Sequence, residues 1–248
     1  MGSNTGTPVY LIVGAAGGIG TALCRRLNAR GAALILAGRD EARLNALSNE
    51  VGGEVAPVDA RDFDAMSVVV ADAAMRHARL DGVVNLAGSI VLKPAHSTSM
   101  QDYSDVIATN LTTAFAVVRA AGPVLGRTGG SIILMSSAAA RVGLPNHDAI
   151  AAAKAGVIGL GLSAAATYAA RGVRVNVVAP GLVRTPLAAR LVNNDASRKA
   201  SEAMHALGRI GEPEEVASMI DWLLDPAQSW ITGQVFGIDG GLSTVRAR

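Results

Sequence analysis

The glycine-rich segment Gly14–Gly20, with the sequence GAAGGIG, constrains the fold of this chain more than any other feature. It directly follows the short apolar run Val9–Val13, and a helical segment begins within it at Ile19. Glycines at such a junction let the backbone turn tightly and approach a pyrophosphate, whose charge the free N–H groups at a helix N-terminus can hold. The segment therefore predicts a strand–turn–helix unit that binds a dinucleotide, and a tight turn with a purely structural role is the alternative.

Short apolar runs alternate with longer helical segments along the whole chain. The runs that predict strands are Val9–Val13, Ala33–Ala37, Val55–Pro57, Gly82–Asn85, Ser131–Met135, Arg174–Val178 and Val235–Ile238. The segments that predict helices are Ile19–Arg30, Glu41–Val51, Asp62–Arg79, Tyr103–Gly126, Asp148–Arg171 and Pro213–Leu224. This alternation is typical of repeated βαβ units. The predicted fold class is α/β, a single-domain Rossmann fold with a seven-stranded parallel sheet and helices on both faces.

The chain length sets the domain organisation that we expect. At 248 residues the chain is long enough for one large α/β domain and short for two. We assign residues 8–248 to this domain and residues 1–7 to a flexible N-terminus or a remnant of an expression tag. The irregular stretch Leu182–Arg209 lies between the sixth predicted strand and the last helix, where we expect a lid over a substrate pocket.

Charge and cysteine content argue against several classes of partner. The formal net charge is +2, and the Lys and Arg residues are scattered, so we expect no nucleic acid partner. Cys24 is the one cysteine, which excludes an internal disulfide and a thiolate metal cluster. A lone cysteine also fits a reducing compartment, so a cytoplasmic location is expected.

Metal and membrane binding are not favoured either. His77, His96 and His205 are spaced irregularly among residues that do not ligate metals, so no metal site is predicted. The weakly polar stretch Ala149–Ala170 is long enough to span a bilayer. However, it contains Lys154 and many small residues, and we interpret it as a buried helix with no membrane role.

The end of the second predicted strand bears on the choice of dinucleotide. Gly38-Arg39 stands where folds that prefer the unphosphorylated cofactor place an acidic residue for the ribose hydroxyls. The guanidinium of Arg39 suits a 2′-phosphate instead, and no carboxylate at Gly38 repels one. NADP(H) is therefore favoured over NAD(H), and a solvated surface arginine is the alternative.

Several motifs together resemble the short-chain dehydrogenase/reductase family, and the resemblance runs from Pro8 to Ser243. The motifs are the glycines at Gly14, Gly18 and Gly20, the segment Asn85-Leu86-Ala87-Gly88, Pro180-Gly181 followed by Thr185, and Asp239-Gly240-Gly241. The resemblance implies hydride transfer with a nicotinamide cofactor. It also implies a homodimer or homotetramer, since the corresponding helices pair across subunits and the small residues of the helix Asp148–Arg171 would let another helix approach.

The resemblance implies a set of cofactor contacts. Asp59 would contact adenine, Asn85 and Ala87 would brace the site, and Val183 and Thr185 would hold the carboxamide end. With the glycine turn and Arg39, the predicted cofactor-binding residues are Gly14, Gly17, Gly18, Ile19, Gly20, Arg39, Asp59, Asn85, Ala87, Gly88, Lys154, Pro180, Gly181, Val183 and Thr185.

The family's catalytic set is an Asn, a Ser, a Tyr and a Lys, and the resemblance assigns three of the four as Asn110, Ser137 and Lys154. The tyrosine position, four residues before Lys154, holds Ile150. In such enzymes the lysine lowers the pKa of the phenol, which transfers the proton that accompanies the hydride. Isoleucine cannot do this, and it lies about one helical turn from Lys154 on the same face.

Three interpretations of Ile150 remain open. His147, seven residues before Lys154 as in enoyl reductases of the wider family, could donate the proton, or it could merely help to begin the helix with Asn146 and Asp148. Alternatively, an activated C=C bond or an iminium ion needs little acid catalysis, and water or Ser137 suffices. In the third interpretation the protein binds the dinucleotide without turnover, or the isoleucine was engineered.

The leading hypothesis is an NADP-dependent oxidoreductase of the short-chain type with an atypical proton donor and a small carbonyl, enone or imine substrate. Asn110, Ser137, Lys154 and His147 are its candidate catalytic residues. The alternative is a non-catalytic dinucleotide-binding sensor or scaffold protein.

Overall fold

The computed structural model describes residues 6–245, so residues 1–5 of the expected N-terminal segment lie outside the described range. Seven strands form one parallel sheet in the order β3-β2-β1-β4-β5-β6-β7. This topology confirms the predicted Rossmann-type α/β fold. The strands are β1 (Val9–Val13), β2 (Ala33–Gly38), β3 (Glu54–Pro57), β4 (Gly82–Asn85), β5 (Gly130–Met135), β6 (Val173–Pro180) and β7 (Val235–Ile238).

Helices cover both faces of the sheet. Within the described range the α-helices are α1 (Gly18–Ala29), α2 (Glu41–Val51), α3 (Phe63–Arg76), α4 (Met100–Ile107), α5 (Thr113–Leu125), α6 (Asp148–Tyr168), α7 (Ala189–Val192), α8 (Asp195–Met204) and α9 (Pro213–Leu224). One apolar cluster joins α1, α2 and α9 to the sheet, and a second joins α3, α5 and α6 to the opposite face.

Strand β1 shows why the sheet must be covered on both sides. All five of its residues are buried. Tyr10 and Ile12 belong to the cluster with α1 and α9, whereas Val9, Leu11 and Val13 belong to the cluster with α3 and α5. Because successive side chains of a strand point to opposite faces, an uninterrupted apolar run requires an apolar layer on each face.

Two segments differ from the sequence-based expectation. The single helix expected at Tyr103–Gly126 is divided: α4 begins earlier, at a capping box formed by Ser99 and Asp102, and a π-helical turn at Ala108–Thr112 separates it from α5. The stretch Leu182–Arg209, expected to be irregular, contains the short helices α7 and α8.

Helix α6, together with the turn that extends to Arg171, is long and apolar enough to cross a membrane by length and composition. One such helix is weak evidence for a membrane span. In this fold α6 packs along β6, and its Val157, Ala164 and Ala165 belong to the apolar cluster on the α3 and α5 face.

An ionic contact joins the first and last helices on the other face. The side chain of Asp221 in α9 is only 5% exposed, and it accepts hydrogen bonds from Arg26 Nε at 2.6 Å and from Arg30 Nη1. Both arginines extend from the C-terminal end of α1, where positive charge complements the helix dipole. Asp221 thus fixes α1, the helix that begins at the glycine turn, against α9.

We predict that Asp221→Asn lowers the free energy of unfolding by about 1–3 kcal/mol, because an amide N–H₂ would replace an oxygen that accepts from a guanidinium. Urea denaturation monitored by circular dichroism measures this change. The control is Glu50→Gln, which removes an exposed partner of another α1 arginine, Arg25, and should have a much smaller effect. Equal effects of the two substitutions would contradict the structural role of Asp221.

Candidate cofactor and active site

A cleft of about 770 Å³ opens along the carboxyl ends of β1 to β4. Because β2 and β4 flank β1 on opposite sides, the cleft lies where the strand order reverses, the usual ligand site of open parallel sheets. Its lining comprises Val13, Gly14, Ala16, Gly17, Gly18, Gly38, Arg39, Asp40, Arg43, Leu44, Val58, Asp59, Ala60, Arg61, Leu86, Ala87, Gly88, Thr109, Thr113, Pro186 and Leu187.

The glycine turn forms one wall of this cleft. Gly14 has a φ of 81°, in the left-handed region, and its N–H donates to Ala37 O at 2.8 Å. A Cβ atom at Gly20 would lie 2.5 Å from Ala15 O, so the first turn of α1 can lie this close to the loop only with glycine there. Since the N-cap residue of α1 is Gly17, no side chain caps the first N–H groups of the helix, and they can bind an anion.

The end of the cleft beside β2 and β3, where the resemblance implies adenosine, carries three arginines. Of these, Arg39 follows β2, Arg43 belongs to α2 and Arg61 follows β3. Arg43 Nη2 donates to Ala16 O in the glycine turn. Arg39 was predicted from the sequence and Arg43 and Arg61 were not, although the separation of only four residues between Arg39 and Arg43 was an available signal.

Asp59, the predicted adenine contact, is held by Arg61. The Arg61 guanidinium donates to both carboxylate oxygens, with Nε at 3.0 Å from each. The hydrogen bonds from Arg61 are the largest cause that lowers the pKa of Asp59, and the charge of Arg39 lowers it further. Asp59 therefore stays ionised at the cleft wall and partly offsets the positive charge there.

The predicted carboxamide loop reaches the glycine turn from the other half of the chain. Pro180 ends β6, Gly181 follows it, and buried Val183 forms a parallel bridge with Gly211. A Cβ atom at Gly18 would lie 2.8 Å from Thr185 Cγ2, so the Thr185 methyl group lies directly over the turn. The following residues, Pro186 and Leu187, line the cleft, which sequence reasoning did not predict.

Two candidate catalytic side chains approach the same glycine. A Cβ atom at Gly88 would lie 3.0 Å from Asn110 Oδ1 and 3.4 Å from Lys154 Nζ. Asn110 lies in the π-helical turn, where its Oδ1 accepts from Ser89 N at 3.1 Å and its Nδ2 donates to Ser89 Oγ at 2.9 Å. The loop after β4 is thus fixed against Asn110, with Lys154 at its side.

The carboxyl end of β5 supplies the surroundings of Lys154. Its Nζ donates to Met135 O at 2.9 Å, and Ser136 Oγ donates to Lys154 O at 2.8 Å. Ser137 comes next in the chain, and its Oγ accepts from Ala139 N at 3.2 Å. Ser137 therefore lies beside the strand end that holds Lys154.

Asn85 supports the loop that follows β4. It is buried at the end of β4, its Oδ1 accepts from Ala87 N at 3.2 Å, and its Nδ2 donates to Thr113 Oγ1 at 3.4 Å. These bonds fix the backbone at Ala87, which lines the cleft.

Burial lowers the pKa of the Lys154 ammonium from its usual value of 10.5 to about 8. The side chain is only 7% exposed, and removal from water disfavours its charge. Its bond to Met135 O leaves further N–H donors of the ammonium for a ligand.

Ile150 lies one turn before Lys154 on α6 and is 5% exposed. It packs in an apolar cluster with Val106, Ala149 and Ala153, and the partly buried Val91 and Leu92 complete this surface. The wall next to Lys154 is therefore apolar.

His147 immediately precedes α6, about 10 Å along the helix axis from Lys154. Its Nδ1 lies 2.7 Å from Pro145 O, a carbonyl that can only accept, so Nδ1 carries the hydrogen. In the neutral ring Nε2 then holds a lone pair, and it can donate a proton only from the charged imidazolium. The preceding residue, Asn146, has a φ of 63°.

Among residues 6–245 no group of three or more His, Cys, Asp or Glu side chains is placed to hold a metal ion.

Comparisons with known proteins agree with this architecture. A family model described as enoyl-(acyl carrier protein) reductase matches residues 14–243. The 3-oxoacyl-[acyl-carrier-protein] reductase FabG of Thermotoga maritima is 37% identical over 242 residues, which cover 94% of this chain and 97% of that protein.

Two solved structures superpose over nearly the whole chain. A short-chain type dehydrogenase/reductase from Mycobacterium ulcerans has a TM-score of 0.90 at 32% identity and covers 97% of this chain and 91% of its own. An actinorhodin polyketide ketoreductase with NADPH has a TM-score of 0.90 at 29% identity, with 96% and 98% covered.

We predict that Lys154→Met changes the pH dependence of stability. Between pH 8 and 10.5 the unfolded state of the wild-type protein binds more protons at Lys154 than the folded state does, so the wild type gains stability as the pH rises. The variant lacks this gain, so its free energy of unfolding relative to the wild type should be highest below pH 8 and should fall towards pH 10. Urea denaturation at several pH values measures the difference.

The matched control is Lys199→Met, at an exposed position of α8, which should show no such trend. A difference between Lys154→Met and wild type that stays constant across this pH range would contradict the desolvation of Lys154.

Proposed function

Because this chain belongs to the short-chain dehydrogenase/reductase family, we propose that it is an NADPH-dependent oxidoreductase with an atypical proton donor. Its substrate would be a small carbonyl, enone or imine compound. The observation that carries the proposal is the approach of Asn110 and Lys154 to Gly88 at the inner end of a cleft whose outer wall is the glycine turn.

Groups at both ends of the cleft suit a dinucleotide. The uncapped N–H groups of α1 suit the pyrophosphate, and the backbone at Gly88 suits the nicotinamide ribose beside Lys154. When bound, the cofactor supplies hydride from C4 of its nicotinamide ring. The polar side chains beside Gly88 are those of Asn110 and Lys154, to which the family resemblance assigns catalytic roles.

The arginines at the adenosine end support NADPH over NADH. Arg43 is bonded to Ala16 O and Arg61 to Asp59, while Arg39 forms no ion pair with any residue of the described range. Arg39 thus has its guanidinium available for a 2′-phosphate, which binds Arg in a charge-assisted, bidentate manner. A ketoreductase of the same fold, at 29% identity, has been solved with NADPH.

We assign distinct tasks to the groups near the reacting atoms. Lys154 holds the nicotinamide ribose through its remaining N–H donors, and Ser137 orients the substrate oxygen or nitrogen. Asn110 fixes the loop at Ser89 between them. Ile150, buried in an apolar cluster one turn before Lys154, offers no phenol there to donate a proton.

For the proton we propose His147, acting as an imidazolium through Nε2. Its Nδ1–H is engaged by Pro145 O, so the neutral ring has no proton to deliver from its free nitrogen. Water is the competing donor for a substrate that needs little acid catalysis.

We further propose that the segment 182–209 is a lid. Every residue of α8 is at least partly exposed, and the start of the segment lies over the glycine turn through Thr185 and over the cleft through Pro186 and Leu187. Helix α8, which has no buried residue, can move away at low cost in free energy.

The second candidate function is a dinucleotide-binding protein without turnover. Burial of Ile150 against Val106 and Ala149 favours it, since this packing puts no proton donor where the family has its tyrosine.

We predict that the protein binds NADPH more tightly than NADH, and that Arg39→Ala weakens NADPH binding about tenfold or more while it leaves NADH binding unchanged. The reason is the loss of a charge-assisted contact to the 2′-phosphate, worth about 1.5–3 kcal/mol. Titration of cofactor fluorescence measures both constants. Arg25→Ala, at an exposed position of α1, is the control. Equal or tighter NADH binding by the wild type would exclude the role of Arg39.

We predict that turnover is detectable in a panel of ketones, enones and imines, and that His147→Ala lowers it by at least about tenfold, since a general acid typically contributes about a hundredfold or more. NADPH oxidation at 340 nm is the ordinary assay for hydride transfer. His96→Ala, in the turn before α4, is the matched control. An unchanged rate in His147→Ala would eliminate this histidine as the donor.

The variant Ile150→Tyr separates the two candidate functions. New or increased ketone reduction would show that Asn110, Ser137 and Lys154 are arranged for catalysis. Tight NADPH binding, with no turnover by either the wild type or this variant on any substrate, would instead favour the non-catalytic protein.

A further inference from the structure

His205 is a buried histidine that none of the tasks assigned above uses. It directly follows α8 and is only 3% exposed, whereas all residues of α8 itself are more exposed. A buried imidazole needs partners for both ring nitrogens, because an unpaired polar atom in the interior is costly.

Both nitrogens of the His205 ring have a backbone partner. Nδ1 lies 2.6 Å from Ser201 O, and the N–H of Leu182 donates to Nε2 at 3.2 Å. A carbonyl only accepts and an N–H only donates, so both contacts require the same neutral tautomer, with hydrogen on Nδ1. One end of the ring is bonded to α8, and the other end is bonded to the loop that follows β6.

The ring fits closely between the ends of two strands. A Cβ atom at Gly181 would lie 3.0 Å from His205 Cδ2 and closer still to Nε2. On the other side, a Cβ atom at Gly240 would lie 3.5 Å from His205 Cβ, and Gly240 O accepts from Leu207 N at 3.0 Å. The imidazole is therefore held between the segment after β6 and the segment after β7.

The position of Leu182 determines that of the next residues. Leu182 O accepts from Gly211 N at 2.9 Å, and Val183 forms the bridge with Gly211. Two residues later, the Thr185 methyl group lies over Gly18. A shift of the backbone at Leu182 would thus move the residues assigned to the nicotinamide carboxamide.

We propose that His205 is a positioning residue for the carboxamide loop, Gly181–Thr185, and that it acts by accepting the hydrogen bond from Leu182 N. It couples α8 to the proposed nicotinamide end of the cleft without touching the cofactor. This inference rests on the proposed function, namely that the cleft binds NADPH.

The test compares His205→Gln with His205→Leu. The two side chains are similar in size, but only Gln offers an acceptor that reaches Leu182 N. Fluorescence titration or calorimetry would measure binding of NADPH and of 2′,5′-ADP, a fragment that lacks the nicotinamide. We expect His205→Leu to weaken NADPH binding about tenfold, because the Leu182 N–H loses its partner, and His205→Gln to stay within about twofold of wild type.

Binding of 2′,5′-ADP should change much less than binding of NADPH in both variants, because the fragment lacks the nicotinamide that the loop is proposed to hold. A general loss of structure would weaken the fragment and NADPH alike, and this result would overturn the proposal, as would equal NADPH affinities of the Leu and Gln variants. If His205→Leu does not fold, His205→Asn replaces it, since Asn keeps a donor for Ser201 O but is too short for Leu182.

Failure of the wild-type protein to bind NADPH, NADH or 2′,5′-ADP is a distinct result, which would overturn the proposed function itself.

Discussion

The close approach of the glycine turn to its neighbours is the constraint on which the rest of the structure depends. The turn is bonded to β2 through Gly14 N and Ala37 O, and it is covered by the Thr185 methyl group at Gly18. A side chain at Gly20 would collide with the carbonyl of Ala15. Because these contacts join residues that are far apart in the sequence, the turn fixes both the start of α1 and the loop after β6. The cleft is the space that this arrangement leaves at the carboxyl ends of the strands.

The two ends of the cleft are stabilised by different kinds of interaction. At the adenosine end, charged side chains interact at a solvated surface, where Asp59 and Arg61 partly neutralise each other. At the nicotinamide end, Lys154 is desolvated and bonded to a backbone carbonyl, with the apolar side chain of Ile150 one turn away. A desolvated ammonium interacts strongly with any polar group that reaches it. Lys154 can therefore serve in ligand binding even though Ile150, and not a tyrosine, stands four residues before it.

The sequence predicts best those strands and helices whose residue pattern is contained within the element and its immediate flanks. The apolar runs of β1, β4 and β7 and the limits of α2 and α9 agree with the structure, since Gly and Pro mark most of their ends. The π-helical turn around Asn110 was not predictable, and the bonds of Asn110 to Ser89 join residues that only the tertiary fold brings together. Helices α7 and α8 were not predicted either. Helix α7 has only four residues, and small and polar residues dominate α8. In the site, the glycine turn and Arg39 follow from spacing alone, whereas Arg61 and the convergence on Gly88 depend on how strands far apart in the chain are paired.

His205 shows how a residue without any sequence signal acquires a place in the site. Nothing in its spacing from other histidines suggests a role, and its neighbours in the chain belong to the most exposed helix. Its burial depends on Gly181, where a Cβ atom would collide with the ring. The glycine after β6 therefore does more than permit a turn. It lets the side chain that follows α8 reach the backbone of Leu182, so that one hydrogen bond joins the end of α8 to the loop after β6.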